Sequence, residues 1–281
     1  MPSVTVVGSV NLDLVATCPR LPRPGETVSA THFARYPGGK GANQALAARR
    51  AGADVTLIAA VGDDPQAGEA TGLLRDSGMD LSRMVRSVQP TGTALITVDP
   101  HGENQIVVVP GANGDLRPQQ VNASGSDVVL CQLEIPPEAV EAAAVTASGL
   151  LCLNAAPAGF VPPEVLERAD VILVNESERA EMSDVLATVS ALVVVTLGAA
   201  GAQALREGRL VAEARPPAVD PVDTVGAGDA FCGAFVTALG GGASVQAALT
   251  RACAAGALAT TRPGAQPSLP TAAEIEEVMT G

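Results

Sequence analysis

Apolar and polar positions follow two rhythms along this chain. Short β-branched runs at residues 4–8, 55–61, 128–133, 150–154, 171–174 and 192–197 carry no polar face, the pattern of strands buried on both sides. Helical segments fall between and after them. Residues 42–51 are Ala-rich and closed by Gly52, and residues 65–77 have Asp64 as a cap and Gly78 as a stop. Residues 227–239, 244–260 and 272–279 make the last third helical. From Asp127 onward strands and helices alternate, which predicts a parallel sheet covered by helices on both faces.

Residues 11–37 break that rhythm. They are rich in Pro and Gly, with alternating short segments, and predict loops and edge strands outside the main sheet. Residues 93–98 and 105–109 flank DPHGE and predict a hairpin; so do 202–205 and 210–214 around Glu207-Gly208. The expectation is an α/β fold in one domain over 1–281. A small β-sheet made from about 12–37 and 92–110 lies as a lid over the strand ends.

Composition narrows the function. With 281 residues, 47% of them hydrophobic, the chain builds one large α/β domain or two small ones. A net charge of −13 argues against a nucleic-acid partner, so any phosphate is held locally by amides, a metal ion and a few cations. Apolar runs are too short and broken for a membrane span, and MPSVTVVGSV has no basic leader region, so the expected location is the cytoplasm. Five scattered cysteines without a CxxC pair predict free buried thiols. His32 and His101 lie in turn-like or edge contexts and are not expected to be catalytic.

Two strings carry chemistry. DTVGAGD at 223–229 places a small-residue turn at the start of an apolar helix. Unpaired amides at Gly226, Ala227 and Gly228 suit an anion, and Asp229 in the first turn suits the role of proton acceptor for a hydroxyl. GGKGANQ at 38–44 precedes another helix, lacks the Walker A spacing, and contains Lys40, the only lysine in the chain. Lys40 is expected to face the reacting groups; the alternative is a solvent-facing residue at the hinge of the lid. Asn11 and Asp13, after the first strand, supply the paired donors and acceptors that a polyol needs, or simply form a turn.

Taken together these strings resemble the ribokinase-like (PfkB-type) sugar kinases over nearly the whole chain. The resemblance implies a three-layer α/β/α domain with a β lid, Asp229 as catalytic base, and Gly226, Ala227 and Gly228 as the anion hole. It places Asn11, Asp13, Gly39, Lys40, Gly41, Asn43 and Glu134 at the sugar. Asn175 and Glu178, in NESE, are implied at the phosphate and Mg²⁺ network. Thr196, Leu197, Gly198 and Gly201, together with Gly228 and Cys253, are implied at ATP. Cys253 departs from the polar or imidazole side chain often found at that place, and the segment between Asn175 and Thr196 is short. Asp223, Val225, Ala259, Arg262, Gly264 and Ser268 match a cradle for a monovalent cation, K⁺. GGKGAN, NLD, GEN and GAQPS resemble family members acting on ribose. The implied reaction is therefore ATP-dependent phosphorylation of ribose at O5. Kinases for another pentose, a ketose or a nucleoside, and a silent sugar or nucleotide sensor, stay open. Pairing through exposed lid edges implies a homodimer.

Overall fold

The computed structural model describes residues 1–280. Its strands are β1 (Ser3–Val7), β2 (Asn11–Thr17), β3 (His32–Gly38), β4 (Asp54–Gly62), β5 (Met84–Ser87), β6 (Gly92–Val98) and β7 (Asn104–Val109). Then come β8 (Val128–Cys131), β9 (Leu150–Asn154), β10 (Val171–Asn175), β11 (Leu192–Thr196), β12 (Ala202–Arg206) and β13 (Arg209–Ala214). They form a nine-stranded sheet in the order β13-β12-β11-β10-β9-β8-β1-β4-β5 and a four-stranded sheet in the order β3-β2-β6-β7.

Buried strands alternate their side chains between two cores. Val4 and Val6 of β1, and Val128 and Leu130 of β8, face the helices Lys40–Arg50, Ala227–Gly240 and Val245–Ala259. Val7, Val129 and Cys131 face the helices Pro137–Thr146 and Pro163–Arg168. The result is three layers, helices–sheet–helices. All five cysteines are free and buried.

Chain order reverses at β1, whose parallel neighbours are β4 on one side and β8 on the other. Such a reversal leaves a crevice beyond the carboxyl ends of the strands, because the following segments diverge to opposite faces. On the first face, two helices approach closely. A Cβ on Gly233 would lie 2.6 Å from the backbone nitrogen of Ala48, and Thr237 Oγ1 donates to Ala48 O at 3.4 Å. That contact sets Asn43 and Gln44 beside the start of the helix Ala227–Gly240.

The structure corrects several expectations. The helix over 65–77 is two pieces, Pro65–Ala70 and Gly72–Asp76; Thr71 Oγ1 at the break donates to Ala67 O at 2.6 Å. Asp64 caps the first piece, accepting from Ala67 N at 2.9 Å, and Gly78 ends the second with φ of 69°. β5 was not expected: MVRS is only four residues long and carries an Arg at the sheet edge. The large sheet is mixed, since β12 and β13 continue it antiparallel. Glu207 and Gly208, both at positive φ, turn that hairpin. The four-stranded sheet joins β2 to β6 in parallel, with antiparallel partners outside. One of its faces exposes Phe33, Leu95 and Val107. No helix among the described residues is long and apolar enough to cross a membrane.

Candidate active site

Five strands of the large sheet deliver polar side chains to one crevice. After β1, the chain turns through Gly8 and Ser9 to Asn11. Ser9 Oγ donates to Glu134 Oε2 at 2.5 Å and accepts from Gly41 N at 3.2 Å. Lys40 N donates to the same Glu134 oxygen at 3.0 Å. The helix Lys40–Arg50 has no side-chain cap of its own, so Glu134, from beyond β8, serves its positive end. Gly39 has φ of 87°, and a Cβ there would lie 2.7 Å from Asn11 N. At Gly41 a Cβ would lie 2.5 Å from Gly8 C. These glycines let three segments of backbone touch one another.

Asn11 and Asp13 project from β2. Asn113, which follows β7, accepts from Val10 N at 2.9 Å and donates to Asn11 Oδ1 at 2.8 Å. The Asp13 carboxyl lies against Gly38, where a Cβ would be 2.5 Å from it. Burial, with the carboxylates of Glu134 and Asp229 nearby, raises Asp13 to about 7.

Asp229 stands in the first turn of Ala227–Gly240. Asn43 Nδ2 donates to its Oδ2 at 2.9 Å, and Gln44 Nε2 to its Oδ1 at 2.8 Å. Burial raises the Asp229 carboxyl above its ordinary value, against Lys40 and these two amides, which lower it; Glu134 adds to the rise. Burial by itself would lower the Lys40 ammonium, but Asp229, Glu134 and Glu178 outweigh it and hold Lys40 above its usual value. Lys40 is thus a cation among carboxylates.

A cavity of about 150 Å³ opens over Asp229, lined among others by Lys40, Asn175, Glu178, Thr196 and Gly228. Gly226, at φ of 80°, turns the chain into the helix, and no atom lies within 4 Å of where a Cβ on Gly228 would stand. Ala227 N is used by Thr224 O at 3.3 Å, while the next amides of the first turn have no intrahelical acceptor. Asn175 and Glu178 form a reciprocal cap, with Asn175 N donating to Glu178 Oε2 and Glu178 N to Asn175 Oδ1, both at 2.8 Å. They fix a helix start and line the cavity at once. Beyond Thr196, Leu197 N bonds Gly201 O at 2.7 Å, and Gly198 has φ of 54° with open space around it.

Behind the turn lies the tail loop. Asp223 accepts from Val225 N at 3.0 Å and from Gly264 N at 2.8 Å. Gly226 packs on Ala265, and the Gly264 Cβ position is 3.3 Å from the Tyr36 ring of β3. Ala259 ends the helix Val245–Ala259, and Ser268 Oγ is buried, donating to Ala265 O at 2.8 Å. The Arg262 side chain turns outward to Glu274. Among the described residues no three His, Cys, Asp or Glu side chains cluster as a metal site. Cys253 is set apart: its thiol faces Ala214 O at 3.6 Å, burial raises it to about 11, and it does not line the cavity.

Sequence similarity points to one family. The pattern described as pfkB family carbohydrate kinase matches residues 1–272. This chain belongs to the pfkB family of carbohydrate kinases. The ribokinase of Bacillus subtilis (strain 168) is similar to it, 38% identical over 295 residues that span 99% of this chain and 100% of its own. The crystal structure of ribokinase from Thermotoga maritima superposes with a TM-score of 0.90 at 32% identity, covering 100% of both chains. Arabidopsis thaliana ribokinase, complexed with ribose and ATP, gives a TM-score of 0.89 at 29% identity, covering 100% of this chain and 99% of its own.

In this pfkB chain, sequence reasoning passed over Ser9, Gln44, Asn113, Gln132 and Asn154. Ser9 and Gln132 follow β1 and β8, the strands that meet at the reversal, and Asn154 ends β9, the next strand along; position at these strand ends is the signal that marks them.

Proposed function

We propose that this kinase transfers the γ-phosphoryl group of ATP to the 5-hydroxyl of ribose, with Asp229 as the general base. One observation carries the reading: a carboxylate raised above its ordinary value stands at a helix N-terminus, on the floor of a cavity and beside the only lysine. The similarity to ribokinases over essentially full length supports the choice of ribose.

The residues present suit the groups this chemistry needs. Open space at Gly228 and unpaired amides in the first turn suit a phosphoryl group. The Thr196–Gly201 turn, with its unobstructed Gly198, suits the rest of the nucleotide. Mg²⁺ keeps most of its ligands as water and phosphate, so the single carboxylate of Glu178 in the cavity is enough for an outer contact. K⁺ wants oxygen ligands, and Asp223, Ser268 and the carbonyls of Val225, Ala259, Arg262 and Gly264 are all oxygen. MgATP supplies the phosphoryl group in a form whose charge is partly neutralised.

Asn11, Asp13, Gly39, Gly41, Asn43 and Glu134 hold the sugar hydroxyls. Asp229 takes the proton of the primary hydroxyl as the oxygen attacks. The amides of Gly226 and Gly228, with Lys40, stabilise the charge that develops, while Ala227 N is engaged by Thr224 O. The four-stranded sheet closes as a lid and excludes water. Its exposed apolar side and free edges pair two copies as a homodimer. ADP release measured with ribose, deoxyribose, fructose and adenosine tests the reading. Ribose is expected to give the highest kcat/KM; a clear preference for any of the others reassigns the substrate, and no turnover with any removes the kinase reading.

A further inference from the structure

A chain of buried carboxamides runs behind Asp229. Gln132 Nε2 donates to Gln44 Oε1 at 2.6 Å. Gln44 Nε2 donates both to Asp229 Oδ1 and to Asn154 Oδ1, each at 2.8 Å. Asn154 Nδ2 in turn donates to Leu173 O at 3.2 Å. Gln44 and Gln132 are fully buried, at 0% exposure. Burying amides beside a core of Ala, Val and Leu is unfavourable unless hydrogen bonds offset it, and an apolar side chain at position 44 would fill the same space without that cost.

We infer that Gln44 is a positioning residue for the base, held in one orientation by Gln132 so that its N–H always faces the Asp229 carboxylate. This rests on the reading of Asp229 as base. The orientation follows from the bonds. With Gln132 Nε2 on its oxygen, Gln44 has only its NH₂ to offer Asp229 and Asn154. Turned over, it would set its oxygen against a carboxylate and a carbonyl oxygen together. The backbone makes room for this: a Cβ on Gly8 would lie 3.2 Å from Gln132 Cδ and closer still to its carbonyl oxygen. Asn43 holds the other carboxylate oxygen, so Asp229 is gripped on both sides and cannot swing away from the cavity.

Groups that also face Asp229 are Lys40 from its own helix partner Lys40–Arg50, Glu134 from beyond β8, Asp13 from β2 and Cys232 one turn along. They are unchanged by substitution at 44, so a change in titration there reports the lost amide. The test is the pH dependence of kcat in Gln44→Met, with thermal unfolding and calorimetric ribose binding as companions. A hydrogen bond to a charged group corresponds to roughly one to two pH units, so the acidic limb of kcat is expected to move up by about that much. At pH values below the wild-type acidic limb kcat should fall about 10-fold or more while KM for ribose changes less than about 3-fold. A lower kcat with an unmoved acidic limb would make Gln44 a structural filler and overturn the inference. Should Gln44→Met fail to fold, Gln132→Met decides: it keeps the Gln44 side chain but frees its orientation, and a smaller upward shift supports the inference, no shift overturns it. An Asp229→Asn variant with near wild-type turnover removes the base reading itself; an inactive one beside an unshifted Gln44→Met removes only the role of Gln44.

Discussion

Two glycine turns meet at this site, and they use glycine for opposite reasons. At 38–41 the space a side chain would need is already filled by protein: Asn11 N for Gly39, Gly8 for Gly41 and the Asp13 carboxyl for Gly38. At 226–228 the helix-opening Gly226 packs on Ala265, but Gly228 faces the cavity. The first turn is glycine-rich so that the chain can touch itself and set Lys40, Asn43 and Gln44 in place. The second keeps room for something that is not protein. From sequence both were expected to approach a ligand, and a Gly-rich string before a helix cannot distinguish them, because both uses need the same absent Cβ.

The comparison breaks most sharply at Asp229, the residue that the second turn presents and the first turn's helix grips. Asp229→Asn keeps the shape and loses the proton acceptor, and turnover should fall roughly 10²–10⁴-fold with ribose binding by calorimetry intact. In the wild type the carboxyl is raised, so kcat should decline, as pH falls, already above the usual carboxylate range. Near wild-type turnover in the variant would take Asp229 out of the mechanism.

Paired alanines test the two turns directly. Gly41→Ala drives a methyl into the backbone of Gly8 and Ser9 and should cost on the order of 3 kcal/mol or more, seen as a large loss of thermal stability or of soluble protein. Gly228→Ala meets nothing, sits in a helix where Ala is favoured by about 0.5–1 kcal/mol, and should fold at least as well while turning over far more slowly. Equal loss of stability in both variants would erase the distinction.

The turns also differ in what supports them. The first is tied to β1, whereas the second leans on the tail through Asp223 and Gly264. If K⁺ occupies that loop, replacing it by sodium or a bulky organic cation at equal ionic strength should lower the rate several-fold, on the order of 1 kcal/mol. Equal rates in all three salts dispose of the cation.

The smallest effect concerns Asp13, whose carboxyl fills the space left by Gly38. It titrates near 7 in the fold and at 3.8 ordinarily, so the folded state binds its proton more tightly than the unfolded one. Its ionised form therefore weighs against folding increasingly from about pH 4 up to 7, and fully above that. Asp13→Asn should raise Tm by a few degrees at pH 8, less at pH 5, while weakening ribose binding. A Tm that drops at pH 8 would contradict the electrostatic account.

Much of the fold was legible because burial on two faces leaves a continuous apolar run, and the runs at 150–154 and 192–197 match β9 and β11 almost residue for residue. β5 escaped because an edge strand of four residues needs only one buried face. The break at Thr71 escaped because a helix interrupted by its own side-chain hydrogen bond keeps its apolar spacing. At the site, the strings around Lys40 and Asp229 stood out as glycine turns before helices, a local signal. Cys253, expected at the nucleotide, has its thiol 3.6 Å from Ala214 O, at the end of β13.

The sequence by itself determined the layered α/β plan, the two turns and the family, since periodicity, turn chemistry and motif spacing are all written within short stretches of chain. Only the tertiary structure decided which glycines contact protein and which face space. It alone showed that Glu134 caps a helix 94 residues away in sequence and that Gln132, Gln44 and Asn154 link into one chain behind Asp229. Those facts depend on which strand ends are neighbours. That neighbourhood is set by the reversal of strand order at β1 and by the close approach of two helices at Gly233, and neither leaves a mark in any single stretch of sequence.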